Sequence, residues 1–174
     1  MTNYISIPII EESVRFVEDD SRREDAVKMM ASGIFNLYFT AVNGFVIGPG
    51  QNRSGHIPGF TIFRIQRLFP GGRGLLDHTV AKAKKVEDSV VASLEQLENA
   101  LEQAVTEFGR CWALLIHGTS FMFYEYHRNL DDKLVPWGPP NDSQRNIFHA
   151  RDDAAIVQWM LQHMAQSTVP PDEK

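Results

Sequence analysis

The chain has a single cysteine, no long apolar run and no surplus of positive charge. Cys111 standing alone excludes an internal disulfide framework and points to a reducing compartment. No stretch approaches the roughly 20 apolar residues that a membrane helix needs. The N-terminus, MTNYISIPIIEESVRFVEDD, lacks the basic start and long apolar centre of a secretory signal. Lys+Arg number 17 against 22 Asp+Glu, so the net charge of −5 disfavours broad, nonspecific binding of nucleic acid. Repeats and low-complexity blocks are absent too. The expectation is a soluble protein of the cytoplasm or nucleus, with no membrane contact.

What is present suits one domain over residues 1–174, because 43% hydrophobic and 22% charged residues over that length can bury a real core. That core is expected in residues 21–165. Residues 127–145 read as a proline-rich surface loop and 166–174 as a frayed tail. Ser21 and Glu24 have capping-box spacing and predict a helix that stops at Asn43-Gly44, with Ala26, Met29, Met30, Phe35, Leu37 and Tyr38 as its apolar surface. Ile5 to Ile10 reads as a short strand or a tether. FVIG, FTIFRIQRLF and LLDHTVAKAK predict three strands, the last two joined by PGGRG. Val90, Leu94, Leu97, Leu101, Ala104 and Phe108 form one stripe at spacings of three and four, predicting a helix that runs to Gly109 from a cap at Asp88 or Ser89. RCWALLI and FMFYEY are two further strands, NIFHA a short one, and RDDAAIVQWMLQHMAQ a terminal helix. The order α-β-β-β-α-β-β-α suits an α/β (α+β) sandwich with a mixed sheet flanked by helices.

That order, together with PGFTIFRI and HTVAKAKK, resembles the core of the PD-(D/E)XK superfamily, the restriction-endonuclease-like fold. ALLIHGTSFMFYEY is similar to the glycine-turn hairpin of the nuclease domains in type I restriction subunits, and the whole looks like a group of fungal proteins built on this core. The resemblance implies a nuclease whose acidic pair holds Mg²⁺ beside a lysine. Carried across, the family's Asp falls on Gly59, next to Pro58, its Glu on Lys82, and its lysine on Lys84. A hard dication wants anionic oxygen ligands. An ammonium facing it at about 4 Å costs several kcal/mol even at an effective dielectric near 20.

Three functional expectations follow. The first is a catalytically inactive nuclease-like domain that binds a protein partner or a second copy of itself, with no cofactor and no metal site. The second is a nuclease in which Glu24 and Asp25 have taken over beside Lys84, the one case that calls for Mg²⁺; two carboxylates converging within about 4–5 Å of a point near the Lys84 ammonium would favour it. The third is a noncatalytic nucleic-acid-binding module using Arg64, Arg67, Lys82, Lys84 and Lys85. Strict alternation places His78 with Lys82 and Lys84 on one face and Asp77 on the other. Lys82 and Lys84 read either as an anion site or as a solvated strand end that discourages edge pairing. Trp137, in VPWGPP, reads as an exposed loop residue, either an anchor for a partner or, the favoured alternative, one that serves packing of the loop; Trp112 and Trp159 read as core or dimer-facing. The six histidines are scattered without ligand spacing, HGTSF lacks the G-x-S-x-G elbow, and GPGQNRSG lacks the Lys-Ser/Thr of a phosphate loop.

Overall fold

The computed structural model describes residues 2–48 and 62–172; Pro58, Gly59, His56, Thr61 and most of the GPGQNRSG loop lie outside the described residues. A mixed sheet of seven strands forms the middle layer, in the order β1-β2-β3-β4-β5-β6, with β7 also on β5. β1 (Phe45–Gly48), β2 (Ile62–Phe69) and β3 (Gly74–Lys84) are an antiparallel meander with β1 at the edge. Gly71, Gly72 and Gly74 take positive φ in the β2–β3 turn, a region that costs glycine nothing. β3 and β4 (Arg110–His117) are parallel, and parallel neighbours need a crossover, which α3 (Val90–Glu102) supplies. β5 (Ser120–His127) returns antiparallel to β4 through Gly118. One half of β5 then pairs with β7 (Ile147–His149) and the other with β6 (Leu134–Pro136).

Helices cover both faces. α2 (Glu24–Tyr38), α4 (Ala154–Gln166) and α1 (Pro8–Asp19) pack on one side against Phe63, Ile65, Ala81, Trp112, Leu114 and Phe121. α3 packs on the other against Ile62, Val80, Ala113, Leu115 and Tyr124. The α/β sandwich is therefore present, although antiparallel pairings dominate its mixed sheet. Among the described residues no helix is long and apolar enough to cross a membrane.

Several expectations need correcting. Residues 5–10 are neither strand nor tether: Tyr4–Ser6 is a 3-10 turn and α1 starts at Pro8, where a missing N–H costs nothing. Ile10, Val14 and Val17 face inward, and Arg151 ties α1 down through Glu11 and Glu18. α2 begins at Glu24 with Arg23 at its cap position, so Ser21 caps nothing, and Met29 and Leu37 are exposed while Val27, Ala31 and Ile34 take the buried places. α3 keeps the Ser89 cap but ends at Glu102. Beyond it the chain leaves the helix to bond β3: the Asp77 N–H donates to the Val105 carbonyl and the Val105 N–H to the Asp77 carboxylate. Phe108 is consequently exposed and outside the stripe.

The 127–145 segment is held rather than loose. β6 pairs with β5, and Trp137 is buried against Trp112, Phe123 and His163. A Cβ on Gly138 would collide with the Arg145 carbonyl, so this turn needs glycine. The tail is anchored too, through the Ser167 carbonyl on His78 and Asp172 on Arg110.

Alternation along β3 breaks once. Ile65 pairs with Thr79 but Gln66 with Asp77, leaving His78 as an extra, bulged residue. The bulge reverses the side-chain phase below residue 79. His78 joins Phe39 and Phe45 on the α2/α4 side, whereas Asp77 joins Arg64 on the α3 side, the face of Val80. Both expected positions are thus exchanged.

Candidate functional site

The two parallel strands finish side by side at Lys84 and His117, and the C-terminal ends of parallel strands are where α/β proteins gather polar groups. Lys84 is the last residue of β3. Its ammonium lies 3.2 Å from Glu24 Oε1, in the first turn of α2, and 3.1 Å from Asp88 Oδ2, just ahead of α3. Lys28, one turn along α2, reaches Glu24 Oε2 at 3.6 Å. The backbone fixes this meeting. Gly118 N–H donates to the Lys84 carbonyl, Val86 N–H to the Ser21 carbonyl, and His117 Nε2–H to the Asp88 carbonyl at 2.8 Å. Three elements are stitched together at one corner.

Lys82, one pleat earlier, is fully buried. β3 is a central strand, so the reading of a solvated strand end fails for it. Burial first, and then the charge of Lys84, push its pKa down to about 7, against the pull of Glu24 and Asp88. Lys84 behaves oppositely: burial would lower its pKa, but the hydrogen bonds it donates to Asp88 and Glu24 outweigh burial and raise it. The corner therefore holds three amines and two carboxylates, with Lys84 firmly protonated between the acids.

Of the expected acids, Glu24 is in place and Asp25 is not. Asp25 turns outward to Arg23, at 2.8 Å. Asp88 takes the second position; its spacing of four from Lys84 was the available signal, masked by its plausibility as a helix cap. Among the described residues, no three His, Cys, Asp or Glu side chains group so as to hold a metal ion.

The five basic residues do not share one solvent face. Arg64 is buried, with Nη1 3.3 Å from Asp77 Oδ2 on the α3 side, and Lys82 is enclosed. Arg67 lies on the opposite side, over the Phe45 ring, and Lys85 is half-buried. A phosphate backbone cannot touch all five at once.

Cys111 is a buried core thiol whose pKa burial pushes well up. His78 is buried as well, and burial lowers its pKa to about 4. It is therefore neutral, with Nε2–H donating to the Ser167 carbonyl at 2.7 Å and Nδ1 accepting from the Thr79 hydroxyl at 2.8 Å. Trp159 stacks on His163 at the surface of α4, and Trp112 is core.

No family model, no curated protein and no solved structure matches the chain.

Proposed function

We propose that this chain is a noncatalytic domain of restriction-endonuclease-like type that acts by binding protein, either a partner or a second copy of itself. One observation carries the reading: an ammonium, Lys84, occupies the point where Glu24 and Asp88 converge, flanked by Lys28 and Lys82. A dication 4 Å from one such ammonium is opposed by about 8 kcal/mol at an effective dielectric of 20. The meander, crossover helix and parallel strand support the family assignment, since they follow the order expected of that core. Protein binding is supported by the α1–α2 face. There Ile9, Phe16 and Met29 are more than half exposed, and Phe16, Ala26 and Met29 line a cleft of about 250 Å³. Large apolar side chains gathered on a surface are what partners cover.

A specific observation favours a second reading, the metal-dependent nuclease. Glu24 and Asp88 do meet at one point, close enough to chelate a single ion if the Lys84 side chain swings aside. Concentrated protein incubated with DNA and RNA, in Mg²⁺ and in Mn²⁺, separates the two. The noncatalytic reading expects intact nucleic acid throughout. Cleavage that needs the metal and disappears in both Lys84→Ala and Asp88→Asn would replace it with the nuclease.

A further inference from the structure

On the side of the sheet remote from α3, the end of α2, the turn after it, β2 and the last turns of α4 enclose a second cleft, of about 440 Å³. Its polar lining is Tyr38, Asn43, Arg67, Gln162 and Gln166, with no acidic residue among the described ones. Arg67 is the unusual member. Eight of the described arginines form ion pairs with carboxylates, and Arg128 donates to the Ala104 carbonyl. Arg67 has neither: its Nε and Nη1 are shielded from water and meet no acceptor among the described residues. The guanidinium is held 5.7 Å over the Phe45 ring, and Phe45 is itself packed by Phe39 and His78.

Two guanidinium nitrogens out of water without an acceptor are a costly arrangement, because their N–H groups lose solvent and gain no hydrogen bond in return. Its planar fork matches a head group with two anionic oxygens, a carboxylate or a phosphate. His78 stays neutral beside it, so the cleft presents one fixed positive charge with amides around it. We infer that this cleft is a binding site for a small oxyanion, a carboxylate or phosphate head on a polar body. Arg67 grips the head, and Asn43, Gln162 and Gln166 bond the remainder. The site is independent of the Lys84 corner and of the α1–α2 face.

The test is an NMR titration of the ¹⁵N-labelled full chain with inorganic phosphate in one arm and succinate in the other, at constant ionic strength. The expected result is a saturating shift of the Arg67 Nε–H and of the Asn43 and Gln166 side-chain amides in at least one arm, which also tells the phosphate source from the carboxylate source. Arg67→Met should weaken that binding at least tenfold, while Arg22→Met, altered at an exposed arginine paired with Asp20, should leave it unchanged. Should Arg67→Met fail to fold, Arg67→Lys keeps the charge without the fork and is expected to weaken binding as well. Shifts that stay linear in both arms, saturate elsewhere, or are unaltered by the Arg67 variants overturn the inference.

Discussion

Replacing Lys82 by methionine tests the electrostatics of the β3 corner directly. The side chain is fully buried and its pKa lies near 7, against an ordinary 10.5. The unfolded chain therefore holds a proton on Lys82 that the folded chain releases. Stability must rise with pH between about 7 and 10.5, and the penalty must be complete below about 7. The gap between the two values corresponds to about 4–5 kcal/mol in all, of which about 2 kcal/mol is recovered between pH 7 and pH 9. Urea unfolding of the wild type and of Lys82→Met across that interval reads it out. The difference between the two curves is the quantity to follow, because Cys111 and the buried tyrosines titrate in both proteins and cancel. Methionine keeps the length and the apolar stem, so the variant is expected to be the more stable protein at pH 7, with its advantage shrinking as the pH rises. Parallel curves would refute the reasoning: Lys82 would then be as easily charged inside the fold as outside it.

Two further outcomes are expected. Asp77→Ala leaves Arg64 buried without its anion and removes the acceptor of the Val105 and Gln66 N–H groups, so a loss of about 3–5 kcal/mol is expected. Calorimetry should show Tm falling by about 6–20 °C, and a loss under about 1 kcal/mol would contradict the assigned role. His78 has a folded-state pKa near 4 against an ordinary 6.5, so the unfolded chain binds a proton first as the pH falls, and stability drops between pH 6.5 and 4 by about 3 kcal/mol. Subtracting a His78→Gln curve should isolate that acid limb, and its persistence in the variant would assign the limb to another group.

Much of the fold was legible because its signals are local. The stripe of α3, the glycine turn between β4 and β5, and the inward residues of α4 each announce themselves within one turn or one strand. α1 also carried a readable pattern, Pro8 at the first helical position and Ile10, Val14 and Val17 at spacings of four and three, but the polar run around it masked the pattern. What could not be read depends on distant partners. Trp137 is interior only because Trp112 and Phe123 rise from the sheet to meet it. Asp25 looked as suitable as Glu24, since position along a helix does not say which carboxylate faces the neighbouring strand. The basic residues of β2 and β3 looked like one surface, yet the pleat and the packing of α3 and α4 divide them between buried pairs and separate sides.

The inserted residue at position 78 makes β3 two half-strands of opposite phase. Any alignment of this protein by its in–out pattern must therefore shift its frame there, and one that does not will match every residue before Thr79 to the wrong side. Deleting His78 would restore plain alternation in the molecule itself. Asp77 would stay opposite Gln66 and beside Arg64 on the α3 side, while the aromatic layer of Phe39 and Phe45 would lose its imidazole. A single codon thus decides whether that layer is filled.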